Sequence, residues 1–496
     1  MISARINFTL LTPLHVGAGA TQFLDDVVQR DSFGLYMIPA TSIAGALRDF
    51  SKDLDLTENK QVIDALFGFA KGDKGTPSIL FISDAKLLDY DGSFASDCYL
   101  TGKKPTSSIA DGLGPYIRDH VRIDKEGVAQ QGGKYDEEIV PSGAKFSFEI
   151  TLDNDWNTKK ESEKAEKEAN FEACKALFEK ILVSLNHSQI AFGGKQNSGY
   201  GRIAFNDGDI TIRDFDLTTQ QGHEAYLNLT RKPTFDANDG GTEITLKSLE
   251  QEIIKKNQEN TVSGQLTLTF ESVGPLLIAG VNQNDVDADL AFVSTPYFDY
   301  KQKQVTYKQV IPGTSFKGAI AHRVFDIANV LYGDDKACAV IDKMFGAISG
   351  QYQGEGHISV LDTELKKSDE VVVQHVAIDR FTGGAVDGAL FNEAPIWDKN
   401  VEVPLTLYFK KLPIECVKLL AFALLDLADS SLAIGNGVNR GNGRLKLKRI
   451  NGSFKDSITC DLYVGHDHLV LDCDHDNYAE ALTRLQSLDD LEQQPC

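Results

Sequence analysis

Two adjacent carboxylates, Asp25-Asp26, follow a glycine-bearing block, Leu11-Thr12-Pro13-Leu14-His15-Val16-Gly17-Ala18-Gly19, and lead into Val27-Val28-Gln29-Arg30. Far downstream, Asp285, Asp287 and Asp289 stand in the same relation to Val273-Gly274-Pro275-Leu276-Leu277-Ile278-Ala279-Gly280 and lead into Leu290-Ala291-Phe292-Val293. A carboxylate in a loop beside a phosphate-binding surface can hold a divalent cation, Mg²⁺ being the one expected, or orient a ribose 2′-hydroxyl for in-line attack. By composition alone the same residues also read as a solvated acidic loop.

The phosphate-binding surface is suggested by two helix starts. Ile311-Pro312-Gly313-Thr314-Ser315-Phe316-Lys317-Gly318 runs toward Arg323, and Ile38-Pro39-Ala40-Thr41-Ser42-Ile43-Ala44-Gly45 runs toward Arg48. Thr314-Ser315 and Thr41-Ser42 are expected to cap helices whose free N–H groups, helped by Lys317, Arg323 and Arg48, suit an anion. Two glycine-rich loops add charge to backbone that can approach a ligand closely. Phe192-Gly193-Gly194-Lys195-Gln196-Asn197-Ser198-Gly199-Tyr200-Gly201-Arg202 offers Gly194, Lys195 and Arg202. Ile434-Gly435-Asn436-Gly437-Val438-Asn439-Arg440-Gly441-Asn442-Gly443-Arg444 offers Asn439, Arg440 and Arg444. Neither has the Gly-Lys-Ser/Thr ending of a nucleotide-hydrolysing loop. Singly, each is also an ordinary capped helix or glycine-assisted turn; paired, they favour a repetitive anion, an RNA backbone.

Histidine offers less. His15 and His322 lie near these motifs, but no Ser/His/Asp or Cys/His arrangement accompanies them. His466, His468, Cys473 and His475 form a weak zinc candidate whose spacing fits no standard site.

The elements that must position these residues come as a tandem duplication. Besides the blocks above, His120-Val121-Arg122-Ile123-Asp124 returns as His375-Val376-Ala377-Ile378-Asp379, and Pro77–Asp84 returns around Gly356–Asp362. Alternating and helical periodicities in each copy give the order β-α-β-β-α-β, an α+β, ferredoxin-like plan. The expected division is 1–224, a linker over 225–260, a second domain over 261–450 and an acidic extension over 451–496. The stretches 122–138 and 377–395 read as extended hairpins, and apolar residues near their tips suit wedging between bases or packing on a neighbouring subunit.

Composition sets the outer bounds. The chain has 496 residues, 42% of them hydrophobic, and a net charge of −22, which argues against non-specific polyanion binding. Any phosphate contact must therefore come from local basic patches. Seven scattered cysteines without a C-x-x-C read as reduced thiols, no apolar run is long enough for a membrane, and the start alternates like a strand. A cytoplasmic location is expected.

The chain resembles the RAMP superfamily of CRISPR-associated proteins, the backbone subunits of type III effector complexes. The likeness rests on Ile311–Gly318, on His375-Val376-Ala377-Ile378-Asp379-Arg380-Phe381-Thr382-Gly383-Gly384 through Phe391, and on the loops 193–202 and 435–444. Two such units in one polypeptide look like the tandem subunit of some subtype D variants. The resemblance implies a modified ferredoxin-like (RRM-type) fold with an extended thumb hairpin per unit, guide crRNA held along a filament, and target RNA paired to it. It implies endoribonuclease cleavage by a loop Asp beside each displaced nucleotide: Asp25, then Asp26, in the first copy, and Asp289, then Asp287, in the second. Mg²⁺ is the expected cofactor. Implied partners are other RAMP subunits, a large polymerase/cyclase-type subunit and a small subunit. Ala40 and Ala44 replace the motif's glycine and lysine, which weakens guide contacts at the first turn, and extra acidic residues precede Asp289, which unsettles metal placement in the second copy; one of the two sites is open to being inactive. A purely structural RNA-binding subunit and a guide-processing endonuclease are the competing readings.

Overall fold

Ile2, Ala4, Ile6 and Phe8 alternate with polar residues, and this period-two pattern places a strand at the centre of the first sheet. The structure is a computed structural model that describes residues 1–53, 60–71, 74–102, 107–123, 129–153, 161–186, 190–229, 231–236, 239–246, 249, 261–280, 287–347, 354–366, 368–397, 401–454, 460–464 and 469–473. In chain order the first half holds β1 (Ile2–Leu10), β2 (Gly17–Gly19), β3 (Val27–Val28), α1 (Ala40–Asp53) and β4 (Leu80–Ile82). A long hairpin, β5 (Ile117–Ile123) and β6 (Ala129–Glu138), follows, then β7 (Lys145–Leu152), α2 (Glu161–Asn186), β8 (Ile210–Asp214) and β9 (Thr242–Ile244). β1 lies between β7 and β8, antiparallel to both, with Phe8 opposite Phe146 and Ile6 opposite Phe148 and Ile210. β4 pairs with the far edge of β7. Leu177, Phe178, Ile181 and Leu185 of α2, at helical spacing, belong to the same buried core as Phe8, Phe146 and Phe192.

The second half repeats the scheme with β10 (Thr261–Ser272), β11 (Leu290–Phe292), an arm of β12 (Ser294–Asp299) and β13 (Gln304–Ile311), and α3 (Gly313–Tyr332). β14 (Ile358–Val360), the hairpin β15 (Val373–Ile378) and β16 (Ala385–Ala394), β17 (Glu402–Pro413), α4 (Ile414–Ala428) and β18 (Leu445–Phe454) complete it. Its sheet runs β14-β17-β10-β18, so the last, first, third and second principal strands lie side by side in both halves. Leu420, Ala423, Leu424 and Leu427 of α4 share a core with Ile320 and Val324 of α3 and Leu405 and Leu407 of β17. No described helix is long and apolar enough to cross a membrane.

Three features differ from expectation. The stretch 225–260, expected as a linker, is in its described part built into the first half: β9 extends the sheet beside β8, and the ring of Phe235 lies under the Arg5 guanidinium. The region after 450, expected as a separate extension, begins inside a strand, since β18 pairs with β10 through Phe454. The helix starts are capped from outside. Asp84 accepts the Ala40 N–H at 2.8 Å and Asp362 accepts the Gly313 N–H at 2.8 Å, so an acid after the second strand does what the local hydroxyls were expected to do.

The halves are joined by an interlock. The β12–β13 arm enters the first half, where Phe298 is part of the first core and its N–H donates to Ser142 O at 2.9 Å. Tyr300 donates its hydroxyl to Leu88 O at 2.7 Å. Arg118 reaches across to Asp362 at 2.8 Å, with both side chains almost fully enclosed. Burial alone would lower the Arg118 pKa, but the Asp362 charge outweighs it and raises it above its ordinary value.

Candidate functional site

The two loop carboxylates of the first half are placed very differently. Asp25 is clasped to the hairpin: its N–H donates to Asp136 Oδ1 at 3.1 Å and its Oδ2 accepts the Asp136 N–H at 3.0 Å. Asp26 lies across β2, where Gly19 N–H donates to Oδ1 at 3.1 Å and His15 Nε2 meets Oδ2 at 2.9 Å. His15 is buried, and its other nitrogen, Nδ1, donates to the Glu138 carbonyl at 2.8 Å. That carbonyl can only accept, so Nδ1 is the donor there, which leaves Nε2 facing the Asp26 carboxylate. Gly17 leaves the space: a Cβ there would meet Asp26 Oδ2 at 2.9 Å.

In the second half, Asp289 repeats Asp25, not Asp26. Its N–H donates to Asn392 O at 3.0 Å and its Oδ2 accepts the Asn392 N–H at 2.8 Å. The register of β3 and β11 against the preceding segments, with Gln29 N–H to Val16 O and Val293 N–H to Ile278 O, aligns Asp26 with Leu290 and His15 with Leu277. The His–Asp pair is thus replaced by Leu–Leu. Asp287 is exposed on the same loop, and Asp285 lies outside the described residues.

A second constellation, not expected from sequence, occurs in both halves. Glu137 on β6 is buried and takes hydrogen bonds from His120 at 2.7 Å and Tyr200 at 2.8 Å, and an ion pair from Lys195. Burial would raise its pKa, but hydrogen bonds and charge from His120 and Lys195 outweigh that and hold it down to about 2. Glu393 on β16 is buried likewise, with His375 at 3.1 Å and Arg440 as its cation. Each histidine stacks on an aromatic of the return strand, His120 on Tyr135 and His375 on Phe391. The cation comes from different loop positions: Lys195 occupies the left-handed position that Gly437 fills in the other copy. The recurrence of a histidine followed on the return strand by a glutamate was the available signal.

The basic candidates are therefore unevenly free. Lys195 and Arg440 are tied to the buried glutamates, Arg48 to Asp64 at 2.5 Å and Arg323 to Asp426 at 2.6 Å. Arg202 stacks over Tyr408 of the second half, its guanidinium 4.5 Å from the ring centroid, whereas Arg444, its counterpart, is exposed. Lys317, on the first turn of α3, has no ion pair among the described residues, and burial brings its pKa down to about 8. Thr314, Ser315 and Ser42 are half-buried, and Thr41, Gly194 and Asn439 are exposed. The first-half loop meets the second-half turn directly, since a Cβ on Gly313 would meet Ser198 O at 3.0 Å. Loop curvature depends on Gly201 and Gly443, where a Cβ would lie 1.8 Å from the Phe192 and Ile434 carbonyls.

Phe381 at the tip of the second hairpin is 97% exposed, and the first hairpin's tip lies outside the described residues. Of the weak zinc candidates, Cys473 ends a described strand, while His466, His468 and His475 lie outside the described residues. Among the described residues no group of three or more His, Cys, Asp or Glu could hold a metal.

A family model described as the RAMP superfamily matches residues 7–204 and 269–446. The chain is 29% identical over 208 residues to the CRISPR system Cms endoribonuclease Csm3 of Methanocaldococcus jannaschii, covering 40% of this chain and 75% of that protein. Among solved structures, it is similar to a chain of the type III-B Cmr-beta bound to cognate target RNA, at 17% identity and a TM-score of 0.29, covering 41% of this chain and 95% of that one. It is similar also to a chain of the apo Cmr-beta, at 16% identity and a TM-score of 0.29, covering 41% and 96%.

Proposed function

The chain belongs to the RAMP superfamily, and from that premise we propose that it is a tandem backbone subunit of a type III CRISPR effector, with one cutting and one non-cutting unit. Each unit is a ferredoxin-like domain. The strand order last-first-third-second, with principal helices after the first and third strands, supports that plan. The two halves meet at the interlock.

One observation carries the division of labour: Asp26 is held by His15 and Gly19, and the second copy has Leu290 and Leu277 in their places. Asp25 and Asp289, satisfied by the hairpin backbone, act as clasps that fix each thumb to its loop. In the first unit the Asp26 carboxylate accepts the proton of a target ribose 2′-hydroxyl. The 2′-oxygen then forms its bond to phosphorus as the 5′-oxygen leaves, giving a cyclic phosphate and a 5′-hydroxyl that takes its proton from water. His15, fixed by the Glu138 carbonyl, positions Asp26. Each Asp26 oxygen takes one hydrogen-bond contact and keeps a further lone pair, so this carboxylate fits a largely hydrated Mg²⁺. Asp26 would hold that ion, which would supply positive charge to the phosphate oxygens.

Guide RNA follows the glycine-rich loops and helix starts. Support comes from the contact of the first loop with the Gly313 turn and from Lys317, which has no ion pair among the described residues. The exposed ring of Phe381 suits displacement of a base. The test is cleavage of a labelled complementary RNA by the assembled, guide-loaded complex. Asp26→Ala removes the first unit's cuts and leaves guide content unchanged, while Asp289→Ala leaves the product ladder intact. An undiminished ladder from Asp26→Ala would sink the catalytic assignment.

A further inference from the structure

The internal joint shows what the second half's docking face receives: Arg118 enters beside Asp362, and Arg202 stacks on Tyr408. The first half carries the same face, uncovered by any described residue. Asp84, the counterpart of Asp362, caps Ala40 in the same way and is exposed. The aromatic has moved one strand over. Tyr408 lies opposite Ser359 in the second sheet, whereas Phe81 lies opposite Thr151 in the first. Directly opposed residues share a sheet face, so Phe81, 60% exposed, offers its ring where Tyr408 offers its own.

We propose that the Asp84–Phe81 face is a docking site for a separate subunit of the same fold. That subunit brings one arginine from the root of its thumb to Asp84 and another from the end of its glycine-rich loop to Phe81. The inference deepens the backbone reading above and rests on it. A second copy of this chain does not meet the requirement. Its second half carries the exposed Arg444 at the position of Arg202, but Val373 at the position of Arg118, two residues before His375 as Arg118 is two before His120. Docking it would cover the Asp84 carboxylate without a cation. The interlocking arm is also missing here. The first half has only a short turn between Val28 and Met37 where the second half has β12 and β13, so the arginine contacts carry more of this joint than of the internal one.

The experiment has two arms. The purified full chain is followed by sedimentation velocity over a hundredfold concentration range, with a monomer expected throughout. In the co-expressed, RNA-bearing assembly, a photo-crosslinking residue at Phe81 identifies the neighbour by mass spectrometry, and Asp84→Lys is compared with wild type by native mass spectrometry. The crosslink is expected on a different chain, at an arginine closing a glycine-rich loop, and Asp84→Lys is expected to lose that neighbour at least tenfold. The free Asp84→Lys chain should melt below wild type, because Asp84 also caps α1; Asp84→Asn keeps the cap acceptor and loses only the charge, so it should melt as wild type and still lose the neighbour. Head-to-tail oligomers of this chain alone, a crosslink to a second copy of it, or an assembly indifferent to Asp84→Lys would each overturn the proposal. A wild-type assembly without RNA would instead count against the backbone reading.

Discussion

Substituting Asp362 tests the joint on which the arrangement of both halves depends. Asp362→Ala removes the counter-charge from Arg118, whose side chain is 8% exposed, and also removes the acceptor for the Gly313 N–H. Stranding one member of a buried ion pair costs about 3–5 kcal/mol, and losing a helix cap adds about 1 kcal/mol. Asp362→Asn keeps the cap acceptor and loses only the charge, so it sits below that sum. Arg118→Met combined with Asp362→Asn leaves neither charge stranded and should lie within about 1–2 kcal/mol of wild type. With each single costing about 3–5 kcal/mol and the double about 1–2, the cycle predicts a favourable coupling of at least about 4 kcal/mol. Urea unfolding is followed by Trp397 fluorescence in a Trp156→Phe background, which reports the second half, and by far-UV circular dichroism, which reports the whole chain. Stabilising the joint makes the two midpoints converge; Asp362→Ala should separate them. A shift under about 1 kcal/mol for Asp362→Ala, or a double variant no better than the single, would refute the reasoning.

Three further outcomes follow from the site. Replacing His15 and Asp26 together by Leu copies the second unit's solution, so the protein should fold and load guide normally while the first unit's cleavage falls about 10²–10⁴-fold; retained cleavage on denaturing gels would contradict it. Lys317, brought down to about 8 by burial, must regain its proton to meet a phosphate. Guide affinity should thus fall as pH rises above 8, by up to about tenfold per unit, and the slope should flatten in Lys317→Arg, as read by filter binding from pH 7 to 9.5. Glu137, depressed to about 2, contributes stability that is present above the ordinary carboxylate value and lost as pH falls toward 2. Glu137→Gln should flatten the acid limb of stability measured by urea titration between pH 5 and 2, and an unchanged limb would remove Glu137 as its source.

Much of this architecture is legible in the residues themselves. Period-two alternation in 2–10 and the i, i+4 spacing in 171–185 and 414–428 mark strands and helices directly, and the doubled motifs disclose two similar halves. What stayed hidden depends on contacts between distant residues. Nothing local to Glu137 says that it will be buried against Lys195, or that Asp84 rather than Thr41-Ser42 caps α1. The choice between Asp25 and Asp26 is of the same kind. Asp25 lies at a bend and Asp26 at the start of the pairing that leads into β3, and only the position of the hairpin decides which one it takes. Polar, glycine-bearing sequence such as that expected to be a linker also suits an edge strand such as β9, which among the described residues pairs with β8 alone.

The Leu277–Leu290 substitution has a consequence for how the duplicated gene product could diverge. A lone leucine opposite His15 would leave an imidazole enclosed with an unanswered nitrogen, and a lone leucine opposite Asp26 would press a methyl-bearing chain against a carboxylate. Either intermediate is worse than both endpoints, so retirement of the reactive pair behaves as a ratchet: once both positions turned oily, no single codon change restores the lost chemistry.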